Sequence, residues 1–89
     1  MTVHLIIKGK VQGVFYRART KDEAERLRIT GWIKNTDNGD VEVMAAGDDD
    51  AIDTFIHWCR QGPPRAIVKE VIVNKAGGEA FEGFEIVRI

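Results

Sequence analysis

Gly31-Trp-Ile-Lys-Asn-Thr-Asp-Asn-Gly-Asp-Val-Glu-Val-Met-Ala45 is the stretch that decides the fold, because it predicts a β-hairpin. Residues 31–35 and 41–45 have the composition and length of short strands. Between them stands Asp37-Asn38-Gly39-Asp40, and Asn-Gly between two strand-like segments is the strongest short signal for a hairpin turn. We therefore predict strands at residues 31–35 and 41–45 that pair with each other.

An amphipathic helix is predicted before this hairpin. Its apolar stripe follows intervals of four, four and three residues and consists of Tyr16, Thr20, Ala24 and Leu27. Such spacing keeps side chains on one face of a helix with 3.6 residues per turn. We predict a helix over about residues 16–27.

A second helix is predicted after the hairpin. The acidic residues 48–50 suit an N-cap and first turn, because carboxylates accept hydrogen bonds from free N–H groups and complement the helix dipole. An apolar stripe at i, i+3, i+4 and i+7 follows, and its members are Ile52, Phe55, Ile56 and Cys59. Gly62 and the two prolines after it then end the helix.

Three further strands complete the predicted sheet. They lie at residues 3–8, 66–74 and 84–89, with a loop at residues 76–83 before the last one. The order is strand, helix, strand, strand, helix, strand, followed by a terminal strand. This order predicts one α+β domain over residues 1–89, a ferredoxin-like βαββαβ sandwich in which two helices cover one face of an antiparallel sheet.

This topology predicts where a site would lie. Strands one and two run parallel with strand three between them, so their carboxyl ends meet at one edge of the sheet. The segment 9–17 leaves strand one, and Asn35 ends strand two. The two emerge two strand spacings apart, about 10 Å, which is a gap that fits a phosphate group.

The segment Gly9-Lys-Val-Gln-Gly-Val-Phe-Tyr-Arg17 has features of an anion cradle. A strand-to-helix turn presents backbone N–H groups at the positive end of the helix dipole. Gly13 can adopt positive φ and let a ligand approach, and Arg17 can reach the same anion with its guanidinium. By pattern alone, however, such a turn is more often an ordinary connection, and a lone residue such as Asn35 is more often a simple turn-former.

The segment 9–17 resembles the signature of the acylphosphatase family, Gly-x-Val-Gln-Gly-Val-x-Phe/Tyr-Arg. The resemblance covers nearly the whole chain at matching spacing and continues through Ala24, Leu27, Thr30-Gly31-Trp32, Asn35, Gly39, Val41-Glu42-Val43, Gly47, Trp58 and Gly62-Pro63-Pro64. The chain departs from the family pattern at two places. Arg28 stands where a glycine is usual, and Asp37-Asn38-Gly39 stands where Asp-Gly often closes the hairpin. Neither departure lies at the predicted site.

The resemblance implies an enzyme that hydrolyses the carboxyl-phosphate bond of acyl phosphates, with water as nucleophile and with neither metal nor cofactor. It implies that Arg17 binds the phosphoryl group and that Asn35 orients the attacking water. The implied phosphate-binding set is Gln12, Gly13, Val14, Phe15 and Tyr16, through their backbone amides, together with Arg17. A carboxylate is a good leaving group, so positioning and charge stabilisation can carry most of the rate.

Composition limits the partners and the location that we expect. Thirteen basic and fourteen acidic side chains leave a formal charge of -1, which is not the cationic surface of a nucleic-acid binder. No apolar run approaches the roughly 20 residues that cross a bilayer, and the first apolar stretch is too short for a signal peptide. Cys59, His4 and His57 do not have the spacing of zinc ligands. We expect a cytoplasmic monomer whose partner is a small-molecule acyl phosphate, without nucleic acid, membrane or metal.

Other functions fit parts of the sequence. Cys59 and Arg65 have the spacing of cysteine-dependent phosphatases, but Cys59 lies on an apolar helical stripe, and the prolines after Gly62 lack the N–H groups that such a loop needs. RNA-recognition domains share the element order, yet residues 40–47 hold no aromatic side chain and two acids. A non-catalytic anion-binding module of the same fold is disfavoured only because Arg17 and Asn35 are both present.

Overall fold

The chain forms a five-stranded sheet and two helices in a computed structural model that describes residues 1–78 and 80–88. The elements in chain order are β1 (Thr2–Lys10), α1 (Tyr16–Arg26), β2 (Thr30–Asn35), β3 (Val41–Ala46), α2 (Asp49–Gln61), β4 (Ile67–Ala76) and β5 (Phe84–Ile86). Each predicted helix and strand is present. The last strand ends at Ile86, three residues short of its predicted end, and Ile89 lies outside the described residues.

The strand order is β4-β1-β3-β2-β5. β3 pairs antiparallel with both β1 and β2, so β1 and β2 run parallel on either side of it. β4 pairs antiparallel with β1, whereas β5 pairs parallel with β2. Four strands thus form the predicted antiparallel sheet, and the terminal strand makes it mixed. The ferredoxin-like α+β fold is confirmed.

The core lies between the helices and one face of the sheet. Alternate residues of the central strands are buried there, and on β1 these are Val3, Leu5 and Ile7. The predicted helical stripes supply the other side, with Tyr16, Thr20 and Ala24 from α1 and Ile52, Phe55 and Cys59 from α2. The periodicity therefore predicted both buried helix faces, although Leu27 and Ile56 are only partly buried.

The opposite face of the sheet carries paired charges. His4 Nε2 lies 2.7 Å from Glu42 Oε2, and Lys8 Nζ donates to Asp40 Oδ2 at 2.8 Å. Lys34 Nζ lies 5.2 Å from the centre of the Trp32 ring. Partly exposed pairs of this kind add little to the free energy of unfolding. The helices leave this face to solvent. Within the described part of the chain, neither helix is long and apolar enough to cross a membrane.

Tyr16 ties the start of α1 to the end of α2. Its buried hydroxyl donates to the carbonyl oxygen of Cys59 at 2.7 Å. That carbonyl would ordinarily accept from the N–H four residues later, but residue 63 is proline and has no N–H. Tyr16 supplies the missing donor, and burial raises the pKa of its phenol. The contact fixes the position of α1 and of the loop that precedes it.

Arg28, at the position where the resemblance implies a glycine, lies just past the end of α1. The N–H of Ile29 donates to the Ala24 carbonyl, and the N–H of Arg28 donates to the Glu25 carbonyl. This pair of bonds is the Schellman motif, whose first residue past the cap adopts a left-handed conformation. Arg28 occupies that position with φ 57°. An arginine there bears a strain that glycine would not.

We expect Arg28→Gly to raise the free energy of unfolding by about 1 kcal/mol, because the substitution removes left-handed strain at an exposed position. The matched variant is Arg26→Gly, in the last helical turn. We expect this substitution to lower the free energy of unfolding by about 1 kcal/mol. Urea denaturation of both variants measures the two effects. Destabilisation by Arg28→Gly would contradict the assignment of strain to this residue.

Candidate functional site

The loop from β1 to α1 bends through left-handed backbone at two residues. Gly13 has φ 74° and Phe15 has φ 62°. Apart from its two chain neighbours, no described residue has an atom within 4 Å of a Cβ placed at Gly13, so the backbone conformation and not crowding favours glycine there. Positive φ is unusual for a bulky residue such as Phe15, and strain of this kind is frequent at functional sites.

The amino end of α1 is open to a ligand. Phe15 caps the helix without a side-chain hydrogen bond, and the first turn holds no acidic residue. The first backbone hydrogen bond of the helix runs from the N–H of Arg19 to the carbonyl oxygen of Phe15, at 3.1 Å. The N–H groups before Arg19 are therefore available to an anion, which the helix dipole also favours.

A cavity of about 310 Å³ lies between this loop, the end of β2 and the residues after β5. Its lining includes Gly13 and Phe15 from the loop, Tyr16 and Arg17 from the first turn of α1, Asn35 from β2, Ile86 from β5, and Arg88. The volume is that of about ten water molecules, which is more than a phosphate group alone requires. The structure thus brings Arg17 and Asn35, the two predicted catalytic residues, to one cavity.

Asn35 reaches this cavity because of the alternation along β2. Gly31, Ile33 and Asn35 lie on the face of the sheet that the helices cover, and Asn35 is the last residue of the strand. Its Oδ1 is buried and accepts no hydrogen bond from the described residues. A buried acceptor without a partner costs free energy and calls for an explanation such as a bound water or ligand.

Arg88 lines the same cavity, and sequence reasoning missed it. β5 pairs parallel with β2, with Ile86 opposite Ile33, and the N–H of Val87 donates to the Ile33 carbonyl at 2.9 Å. Continuing this register by two residues brings Arg88 level with Asn35. The parallel pairing of the terminal strand was the missing information, and no local sequence signal carries it.

The other predicted phosphate-binding residues divide into two groups. Gly13, Phe15 and Tyr16 line the cavity, whereas Gln12 and Val14 do not. The side chain of Val14 is buried in the core. Gln12 Nε2 donates to the carbonyl oxygens of Thr36 and Asp40, at 2.9 Å and 2.8 Å. The side chain of Gln12 therefore ties the loop to the hairpin, and the role of its backbone amide stays a prediction.

The cavity is positively charged. Arg17 and Arg88 both line it, and no carboxylate does so among the residues that the structure describes. Neither arginine forms an ion pair within residues 1–78 and 80–88. A neighbouring cavity of about 330 Å³ shares Arg17, Asn35 and Arg88 and extends to Thr36 and Asp37. Guanidinium groups without partners favour an anionic ligand.

The residues that suggested other chemistry lie elsewhere. Cys59 is 0% exposed, and burial raises the pKa of its thiol to about 12. A thiol with that pKa is a poor nucleophile near neutral pH. In the described part of the chain, no group of three or more His, Cys, Asp or Glu side chains could hold a metal ion.

We expect a disulfide reagent to modify Cys59 at pH 8 only as fast as the protein unfolds, because the thiol is buried and protonated. The pKa is also raised above its ordinary value of 9.0, so the free energy of unfolding depends on pH. The contribution of the thiol to that free energy is fully present below pH 9 and falls as pH rises toward 12. Modification rates in increasing urea measure the first effect. Rapid modification of the folded protein would contradict it.

Comparison with known proteins identifies the family. A family model described as acylphosphatase matches residues 3–86. The acylphosphatase of Haloquadratum walsbyi is 44% identical over 85 residues, which are 96% of this chain and 91% of that protein. The structure of an acylphosphatase from Coxiella burnetii superimposes with a TM-score of 0.93 at 40% identity and covers 97% of this chain and 90% of that one. The acylphosphatase structure from Bacillus subtilis has a TM-score of 0.94 at 33% identity and covers 98% of each chain. The chain belongs to the acylphosphatase family.

Proposed function

We propose that this chain hydrolyses acyl phosphates to a carboxylate and inorganic phosphate, with water as nucleophile and without a metal ion. The family and its relatives support the reaction. One observation carries the assignment of the site. It is that Asn35 and Arg17 line one cavity, and that Asn35 Oδ1 has no hydrogen-bond partner among the described residues.

Arg17 and the amino end of α1 bind the phosphoryl group. Its oxygens accept hydrogen bonds from the guanidinium of Arg17 and from the N–H groups of the loop 12–16. These donors are held in place before substrate arrives, because the loop is tied to the hairpin through Gln12 and to α2 through Tyr16. Preorganised donors stabilise the charge on the phosphoryl oxygens in the transition state.

Asn35 positions the attacking water. Its carboxamide, which lines the cavity, forms a hydrogen bond with the water, whose oxygen then attacks phosphorus in line with the departing carboxylate. The bond between phosphorus and the acyl oxygen breaks, and its electron pair leaves with the carboxylate. Both hydrogens of the water end on the phosphate product, so a dianionic acyl phosphate yields a carboxylate and dihydrogen phosphate. An amide is too weak a base to take a proton, and a good leaving group does not require one.

We further propose that one domain spanning residues 1–89 acts as a cytoplasmic monomer with a small-molecule substrate and no nucleic-acid partner. The acidic side chains of Glu42 and Asp40 on the open face of the sheet support the last point, since an RNA reader would present basic neighbours beside its stacking rings. Trp32 lies on the same face, with Lys34 beside it. Within the described part of the chain, no observation favours a non-catalytic anion-binding module.

We expect Arg17→Ala and Asn35→Ala to lower kcat/KM for benzoyl phosphate by about a hundred- to a thousandfold, the effect of removing one preorganised donor or water-orienting group. Hydrolysis is measured with a chelator present throughout. Full activity in both folded variants would overturn the assignment of these residues. Loss of wild-type activity on chelation would overturn the metal-free mechanism.

The stability of Asn35→Ala gives a second readout. Because Oδ1 is buried without a partner, we expect this variant to unfold at the same urea concentration as the wild type or at a higher one. Asn74→Ala, at an exposed position on β4, is the matched control and should keep full activity. If the wild type is inactive, calorimetry with inorganic phosphate distinguishes an anion-binding module from a protein without the site.

We expect Gln12→Glu to lower the free energy of unfolding by about 1–3 kcal/mol, because a carboxylate cannot donate to the carbonyl oxygens of Thr36 and Asp40 and is repelled by them. As a positioning residue, Gln12 should affect kcat less than Asn35 does. Gln61→Glu, at the exposed end of α2, makes the same change of charge without these contacts. Equal stability of the two variants would contradict a role for Gln12 in joining loop and hairpin.

A further inference from the structure

A smaller cavity adjoins the cavity that Arg17 and Asn35 line. Its volume is about 160 Å³, and its lining consists of Val14, Phe15, Arg19, Pro63, Pro64 and Arg65. Among the described residues, Phe15 alone lines both this cavity and the one with Arg17 and Asn35. Phe15 therefore lies at the boundary between the two cavities.

The direction of the reaction relates this cavity to the substrate. In an in-line displacement, the attacking water and the leaving group lie on opposite sides of phosphorus. Asn35 marks the side of the water, together with Thr36 and Asp37 of the neighbouring cavity. The acyl group must then extend away from Asn35. The lining of the smaller cavity contains none of these three residues, so this cavity is the adjoining space that such a direction leaves for the acyl group.

The lining of this smaller cavity suits an acyl group in two respects. Phe15 is 72% exposed, and its left-handed backbone holds the ring out of the core, where it can pack against a carbon skeleton. Pro63 and Pro64 add apolar surface. Arg19 and Arg65 are exposed at its edge, and neither forms an ion pair among the described residues. Apolar walls with two free guanidinium groups fit an organic group that ends in an anion.

We propose that the cavity beyond Phe15 is a subsite for the acyl group and that Arg19 and Arg65 favour acyl phosphates that carry a second, distal carboxylate. The inference rests on the proposed function, because the direction in which the acyl group extends is deduced from the position of the water at Asn35. It assigns a preferred substrate class, the monophosphates of dicarboxylic acids. Phe15 contacts the carbon skeleton, and the two arginines determine specificity without touching the reacting atoms.

The test compares benzoyl phosphate with 4-carboxybenzoyl phosphate, which differ only in the distal carboxylate. We expect wild type to have the lower KM for 4-carboxybenzoyl phosphate. Arg19→Gln and Arg65→Gln should each raise that KM by about two- to fivefold, the effect of one exposed charge pair, and leave kcat and KM for benzoyl phosphate unchanged. The preference should weaken as salt is added. Arg26→Gln, on an exposed part of α1 outside both cavities, is the matched control.

A second variant tests the apolar wall. Phe15→Gly removes the ring and suits the left-handed backbone, so we expect it to raise KM for benzoyl phosphate relative to acetyl phosphate. The subsite would be overturned if wild type, Arg19→Gln and Arg65→Gln all hydrolyse benzoyl phosphate normally and share one ratio of KM for benzoyl phosphate to KM for 4-carboxybenzoyl phosphate. The proposed function would then stay intact. Failure of the wild type to hydrolyse either aryl substrate would overturn both.

Discussion

The antiparallel pairing of β3 with both β1 and β2 is the constraint on which the rest of the structure depends. Val41 lies opposite Ile7 on one side and opposite Asn35 on the other. The end of β2 and the loop that leaves β1 therefore stand at the same edge of the sheet, separated by about two strand spacings. A change of register by one residue would turn Asn35 to the open face and away from α1. The hairpin thus determines the distance across the cavity.

Side chains outside the cavity hold the loop in place. Gln12 donates to two carbonyl oxygens of the hairpin, and Tyr16 donates to a carbonyl that proline at position 63 leaves without a donor. Both contacts join segments far apart in sequence, so they form only when the sheet and the helices have assembled. They help a short loop to keep Phe15 in left-handed backbone, a conformation that the local sequence would not select.

The cavity departs from what stability alone would favour. Asn35 has a buried acceptor without a partner, and Arg17 and Arg88 bring two like charges to one cavity. Each feature costs free energy in the absence of a ligand and suits an anion accompanied by a water. Functional sites commonly depart from the residue choices that stability favours, and other parts of the structure offset the cost. Here that part is a core whose central residues are fully buried.

The sequence by itself determined the hairpin at 31–45, both helices with their buried stripes, and the ferredoxin-like order, because each rests on local periodicity and turn chemistry. Its resemblance to the acylphosphatase family also singled out Arg17 and Asn35. The tertiary structure alone decided that β5 pairs parallel with β2, which brings Arg88 to the cavity, and that Gln12 turns to the hairpin. It also decided that Phe15 borders two cavities and that Asn35 Oδ1 has no partner among the described residues. These features depend on contacts between residues distant in sequence, which local patterns do not encode.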